Sequence, residues 1–356
     1  MFRVARVAIS EATAVFPSTS QDVTSREARA MPRTKSTFLL LLAGVLSLSA
    51  NSWGGDDTQR NQSASSSLLL VRTYAPEDFR RPFLDRLSGI PTRGFPFRMA
   101  TDSKGRVLVT DPALSVVHVF DLKQGKRWEL RGGSYHWLSR PAYIAVDGGD
   151  NIYVTDLDLP FVMVFRPSGQ FLRTIGYGSL SLPTGIWVDS PNRLVYVADW
   201  WQNQVLSFDF EGNLIHVFGT PGQGPGQLQR PGDIAIHGDT LIVLDSVNRR
   251  FDLFDLQGNF RGIWPFGADR MPLTFTFDGG GHLVYVDLYS GGLVATDPQG
   301  TVIARLDQLR SYGQSRPAGI SFTCVAAGAG GDILALRPTL NVETVRLAAG
   351  APTRVP

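Results

Sequence analysis

Cysteine is all but absent. Cys324 stands alone in 356 residues, so no disulfide can form within the chain. It lies in the apolar run ISFTCVAAG and reads as a small buried hydrophobe rather than a reactive thiol. An excess of one charge is missing too. Residues 1–50 carry six Lys/Arg and three Asp/Glu, and the rest of the chain carries 28 and 29. Nucleic-acid binding leaves a basic footprint that this near-neutral body lacks, so no nucleic-acid partner is expected. The most apolar stretch, Phe38–Leu48, has eleven residues. A spanning helix needs about 20, so stable membrane insertion is not expected either. The five histidines (His118, His136, His216, His237 and His282) show no H-x-x-x-H spacing, and G-x-S-x-G, S-x-x-K and P-loop motifs are all missing. Nucleophilic and nucleotide chemistry therefore lack support, and no cofactor is expected.

What the chain has is a repeat. Six prolines (Pro96, Pro141, Pro183, Pro231, Pro272 and Pro317) follow one another at 45, 42, 48, 41 and 45 residues. Each opens an apolar run, a polar turn, a second apolar run and usually an aspartate. The cleanest copy is IAVDGGDNIYVTD from Ile144; MATDSKGRVLVTD from Met99, IWVDSPNRLVYVAD from Ile186, IAIHGDTLIVLD from Ile234 and FTFDGGGHLVYVD from Phe275 stand beside it. A degenerate sixth starts at Ile320. Third-strand phrases recur as VHVFD, VMVFR, VLSFD, FDLFD and LVATD, each followed by a glycine hairpin. Four short strands at this period predict an all-β, six-bladed β-propeller of four-stranded antiparallel blades. In the turn of the second unit, Gly148 to Asn151, glycine is expected to supply a positive φ.

The sixth unit runs out after Val342–Leu347 with no fourth strand of its own. LLLVRTYA (Leu68–Ala75) resembles the fourth-strand phrase FLRTIG from Phe171. An N-terminal strand is thus predicted to complete the last blade and close the ring. Ahead of it, residues 31–50 have the parts of an export signal: Arg33 and Lys35, the apolar core, and small residues at Ser47, Ser49 and Ala50. Cleavage is expected near residue 50, with a periplasmic or extracellular destination. Translation is expected to start at Met31, leaving residues 1–30 outside the natural product. Residues 51–67 read as a flexible tether, 68–350 as the propeller and 351–356 as a tail.

The phrase GTPGQGPGQLQRPGDIAI (Gly219–Ile236) resembles the linker and first strand of the NHL repeat, roughly a glycine-rich stretch, then P-x-G-I-A-V-D and G-N-I-Y-V-A-D. The fourth unit also keeps a D-x-x-N-x-R loop as Asp245, Asn248 and Arg250. The resemblance covers about residues 68–350 and implies a six-bladed propeller. It implies no single activity, since NHL relatives include protein- and RNA-binding modules and an amidating lyase, with hydrolases and lactonases farther off.

Loops after second strands and before first strands should share one face. Asp111, Asp156, Asp199, Asp245 and Asp287, with Arg337 in the sixth place, would gather there. Oxygen ligands in a ring could hold a divalent metal near the axis. The alternative is that each carboxylate accepts hydrogen bonds from its own loop. Two loops break the pattern: Asp199 precedes Trp200 and Trp201, and Asp245 precedes Asn248, Arg249 and Arg250. Trp and Arg are frequent binding anchors, so these five residues, widened by Trp137 beside Tyr135 and His136, form the candidate ligand patch. Packing of an indole between blades and pairing of the arginines with aspartates is the competing structural reading. The expected function is an exported binding or scaffold module for a protein or small-molecule ligand. The alternative is a metal-dependent lyase or lactonase-type hydrolase with its metal near the axis.

Overall fold

Second strands are buried along nearly their whole length, whereas fourth strands are largely half-buried or exposed. Val107–Asp111, Ile152–Asp156 and Leu283–Asp287 are covered throughout, while Lys126–Leu130 and Phe260–Trp264 bury every other side chain more deeply. This gradient is what a sheet sandwiched between two neighbours produces, with its outer edge in water. The structure, a computed structural model, describes residues 67–74, 98–133, 136–267, 269–306, 323–328, 332–336 and 342–348. The predicted upstream stretch 1–30, the signal at 31–50, the tether short of Ser67 and the tail lie outside the described residues. So do Pro96, Tyr135, Pro317 and Arg337.

Six four-stranded antiparallel sheets make the architecture. Blade one comprises Met99–Thr101, Val107–Asp111, Val116–Asp121 and Lys126–Leu130. Blade two comprises Pro141–Val146, Ile152–Asp156, Leu159–Phe165 and Phe171–Ile175. Blade three follows as Pro183–Asp189, Leu194–Asp199, Gln204–Asp209 and Leu214–Phe218. Blade four has Pro231–His237, Thr240–Asp245, Arg250–Asp255 and Phe260–Trp264. Blade five has Pro272–Phe277, Leu283–Asp287, Leu293–Thr296 and Val302–Leu306. Blade six joins both ends of the propeller: Cys324–Ala327, Ile333–Leu336 and Val342–Ala348, then Ser67–Tyr74 as the outer strand. Leu68 stands opposite Leu347 and Tyr74 opposite Val342, so the predicted closing strand is present, one residue earlier than expected.

The first strand of each blade lies beside that of the next, and blade six returns to blade one. Proline opens four of these strands, at Pro141, Pro183, Pro231 and Pro272. The position suits it, because an innermost strand has a free edge where a missing amide donor costs nothing. Cohesion comes from apolar clusters between adjacent blades. Leu108, Val117 and Leu130 pack on Ile144, Val154 and Phe165; Tyr196 and Phe218 meet Ile234 and Val243; Val286 and Leu293 meet Ile333 and Val345. Each such side chain contributes roughly 1.5–3 kcal/mol on burial. Threonines add hydrogen bonds across the seams: Thr110 Oγ1 donates to Ala142 O at 2.8 Å and Thr155 Oγ1 to Thr184 O at 2.9 Å. At Gly185 the inner strands of blades three and four come so close that a Cβ would fall 2.8 Å from the Asp233 Cα.

The turn in blade two differs from expectation. The positive φ falls on Asp150 (62°), not on Gly148 or Gly149. Aspartate tolerates this conformation when its carboxylate is held locally. Here the Asp150 carboxylate accepts from Ser103 N at 2.8 Å and Ser103 Oγ at 2.9 Å, which also hooks blade two onto blade one.

Candidate functional site

The register of each blade places the start of its first strand opposite the end of its second: Pro141 opposite Asp156, Pro183 opposite Asp199, Pro231 opposite Asp245 and Pro272 opposite Asp287. The loops expected to share a face therefore do so. On that face the repeated aspartates are buried and engaged with backbone amides. Asp199 accepts from Ser181 N at 2.6 Å, Trp201 N at 3.0 Å and Gln202 N at 2.9 Å. Asp156 accepts from Ser139, Arg140 and Asp158. Asp111 takes Ala113 and Leu114; Asp245 takes Gln229 and Asn248; Asp287 takes Met271, Tyr289 and Ser290. In blades two to five one carboxylate thus ties the loop before the first strand to the loop after the second. Burial pushes the Asp156 and Asp245 carboxyls up, while the amides around them oppose that shift. Among the described residues, no three His, Cys, Asp or Glu side chains converge as a metal-binding group.

Asn248 and Arg250 are held in the same internal network. Asn248 Nδ2 donates to Asp245 Oδ2 at 2.6 Å and Gly222 O at 2.9 Å. The Arg250 guanidinium donates to Asp252 Oδ2 at 2.9 Å and to the carbonyls of Gln223, Gly224 and Gln227. The D-x-x-N-x-R loop thereby clasps the glycine-rich linker that precedes its own blade. Asp252, fully buried beside Asp245 and Arg250, has its carboxyl pushed up to about 7 by burial.

The aromatic and cationic residues are arranged differently from the expected meeting of Trp200 and Trp201 with Arg249 and Arg250. Trp200 is half-buried, and the guanidinium over its ring, 4.4 Å from the centroid, is that of Arg230. Arg249 instead lies over Tyr289 of blade five and donates to Tyr289 Oη at 3.2 Å and Arg270 O at 3.0 Å. Trp201 stays 60% exposed. Trp137 lies in a two-residue strand, His136–Trp137, paired with Gly132–Gly133; its side chain is outside the described part.

Trp201 belongs to a register that sequence reading did not compare across blades. Two residues after each repeated aspartate stand Ala113, Asp158, Trp201, Val247 and Tyr289. In blades three, four and five this position is a large exposed apolar side chain, with Val247 and Tyr289 each 48% exposed. Tyr177, 77% exposed and tilted against Phe161 with ring centroids 5.9 Å apart, extends the arc toward blade two. There Asp158 is clamped by Arg140 at 2.6 Å and the arc ends.

A second feature sequence reading missed sits at the axis. Two residues after the repeat proline, where the P-x-G pattern has glycine, stand Arg98, Tyr143, Asp233 and Thr274. They converge at one end of an axial cavity of about 190 Å³ whose walls include Ile144, Trp187 and Ala326. Arg98 donates to Tyr143 Oη and Leu273 O, both at 2.9 Å, and its Nε lies 3.9 Å from Asp233 Oδ2. Blades one and four are opposite in a ring of six, so this pair spans the axis. Asp233 also accepts from Thr274 Oγ1 at 2.7 Å. Burial pushes the Asp233 carboxyl up, against the pull of Arg98, and raises the Tyr143 phenol to about 12. The Cys324 thiol, also buried, is pushed up to about 12 and is no thiolate at neutral pH.

With this geometry in place, the similarities to known proteins can be read. A family described as a 6-bladed beta-propeller matches residues 187–269, the heart of blades three and four. The human E3 ubiquitin-protein ligase NHLRC1 is 28% identical over 134 residues, covering 34% of each chain. The Drosophila melanogaster protein brain tumor is 28% identical over 130 residues, or 35% of this chain and 12% of that one. The chain thus spans only a minor part of these relatives. Among solved structures, a streptogramin B lyase superposes with a TM-score of 0.55 at 14% identity, covering 73% of this chain and 95% of that one. A chain of a nidogen/laminin complex gives 0.53 at 21% identity, covering 60% of this chain and 80% of that one. These structural likenesses carry the fold alone. Repeat, closed ring and relatives agree: the chain is a six-bladed β-propeller, and about a third of it is similar in sequence to NHL-type proteins.

Proposed function

We propose that the chain is a binding module that holds a protein partner on the loop face of blades three to five. The observation that carries this reading is the exposed series Trp201, Val247 and Tyr289, one repeat position in three successive blades. Exposed apolar side chains clustered on one face mark interaction surfaces, and loops on a rigid scaffold are where binding residues concentrate. The resemblance to NHL proteins accords with a protein partner. A small ligand fits less well, because the axial cavity, about 190 Å³, falls below the roughly 300–1,000 Å³ of ordinary ligand pockets. The lyase or lactonase reading needs a metal, and the aspartates that would hold one are engaged by loop amides. We read residues 31–50 as the export signal, so the partner is sought in the periplasm or outside the cell.

The test compares capture of envelope proteins by the wild type and by Trp201→Ala, followed by titration of the purified partner. A hot-spot residue costs at least about 2 kcal/mol on truncation, so affinity should fall about 30-fold with the melting temperature unchanged. Equal affinity would remove this face from the account. Metal analysis of the purified protein addresses the enzyme reading: one tightly held ion and a chelator-sensitive melt would favour it.

A further inference from the structure

Resting on the loop-face reading, we propose that the segment docked there is a peptide stretch bearing an apolar anchor beside a carboxylate, the anchor packing on Trp201 and the carboxylate pairing with Arg230. Several surface arginines of this molecule pair with carboxylates. Arg140 pairs with Asp158 at 2.6 Å, Arg193 with Glu211 at 2.7 Å, Arg261 with Asp239 at 2.7 Å and Arg131 with Glu129 at 2.5 Å. Arg230 is not among them. Among the described residues no carboxylate pairs with its guanidinium, which instead lies over the Trp200 ring at 4.4 Å.

Arg230 is also held in place. Its backbone has φ 56°, and its amide donates to Asn203 Oδ1 at 2.8 Å, in the same loop that carries Trp200 and Trp201. A guanidinium stacked on an indole keeps its planar fork of N–H donors, which suits bidentate pairing with a carboxylate. Because the ring already restricts the side chain, less entropy is lost when a ligand arrives.

The neighbouring groups narrow the ligand class. Neutral hydroxyl ligands such as sugars need free amide donors and acceptors around the aromatic ring. Here Gln202 Nε2 donates to Ser179 O at 2.8 Å and Ser181 Oγ at 2.9 Å, and Asn203 Nδ2 to Trp201 O at 3.3 Å. The carboxylate nearest in sequence, Asp199, is buried and engaged by loop amides. What this rim offers at Trp201 is one broad apolar ring beside the loop on which Arg230 is stacked, with Val247 next along the arc. An Asp, a Glu or a chain terminus beside a Trp, Phe or Leu matches both.

The probe is a random-peptide display library selected in parallel on the wild type, Arg230→Gln and Trp201→Ala. The expected result is enrichment, on the wild type only, of sequences with an acidic residue adjacent to a large apolar one. A synthetic peptide of the enriched sequence should bind Arg230→Gln about tenfold more weakly, or about 1.4 kcal/mol. Its Asp→Asn or Glu→Gln counterpart should bind both proteins alike, and its affinity should respond less to salt. Enriched peptides without acidic residues, binding indifferent to Arg230→Gln, or no enrichment at all would each overturn the inference. In those cases a captured protein that still depends on Trp201 leaves the docking face standing. If capture is also indifferent to Trp201, both readings fall.

Discussion

Arg98 and Arg230 both lie over aromatic rings, as Arg106, Arg193 and Arg249 also do, but the surroundings of the first two differ in every other respect. Arg98 lies 4.2 Å from the Tyr143 centroid at the axis, buried, with Asp233, a phenol and a carbonyl completing its shell. Arg230 lies 4.4 Å from the Trp200 centroid on the rim, partly exposed, with no carboxylate partner among the described residues. The same pairwise contact therefore does two jobs. Enclosed beside a carboxylate, it joins four blades; on the rim, it stays partly exposed. The contrast extends along the repeat: what points into the ring holds it, whereas Trp201, Val247 and Tyr289 on the loop face stay exposed.

The first way to break this comparison is to open the ring. Removing residues 67–74 deprives blade six of the outer strand that pairs from Ser67 to Tyr74. The remaining three-stranded blade then exposes the edge at Val342–Ala348 and the seam with blade five. Circular-dichroism melting should show the largest loss of any change considered, with cooperative unfolding at best at a much lower temperature. A melting temperature like that of the full chain would mean that the strand is not what closes the propeller.

Next comes Arg98→Met, which leaves Asp233 buried without its cation. Breaking a buried pair from one side costs about 3–5 kcal/mol, measurable by urea unfolding. Replacing both partners (Arg98→Met with Asp233→Leu) should recover most of that loss, since no stranded charge remains. A single variant as stable as wild type would show that the axial pair does not hold the blades.

Asp252→Asn separates charge from packing at the base of the D-x-x-N-x-R loop. The wild-type carboxyl stands at about 7 in the folded protein, against about 4 when unfolded. The fold thus binds the proton more tightly than the unfolded chain does between these values. Its contribution to stability is full below about pH 4 and is lost as pH rises toward 7. The difference in stability between Asp252→Asn and wild type should therefore grow in the variant's favour from pH 4 to 7. A difference that is flat with pH would contradict the raised carboxyl.

The smallest expected effect is the stability change in Arg230→Gln. A rim side chain with one ring contact should change unfolding free energy by no more than about 0.5 kcal/mol, in contrast to Arg98. A loss comparable to that of Arg98→Met would place Arg230 in the scaffold and remove the distinction between the two arginines.

Ring, blade count and closing strand were legible because each is written many times or has a close copy: the Pro-led phrase recurs at a blade's period, and Leu68–Ala75 resembles Phe171–Gly176. The carboxylate candidates were legible as positions, though only the structure shows the amides they accept. Arg249 and Arg250 drew attention as neighbours in one loop, but Arg249 ends the turn at φ 58° while Arg250 opens the next strand, and the two diverge. Arg250 turns to the linker at Gln223–Gln227, and Arg249 to Tyr289. The cation that does reach Trp200 comes from a linker, whose path the repeat does not specify. The axial quartet carried a sequence signal, replacement of the glycine in P-x-G, but its meaning appears only when six inner strands converge. A lone Arg98 and a lone Asp233 in distant repeats give no hint that they meet.

Amide hydrogen exchange of the full chain, alone and with its captured partner, tests most directly whether the loop face of blades three to five is where this propeller binds. Protection should appear at residues 199–203, 245–250 and 287–292 and leave the turns between first and second strands unchanged. Protection confined to those opposite turns, or to the outer strands, would contradict the account.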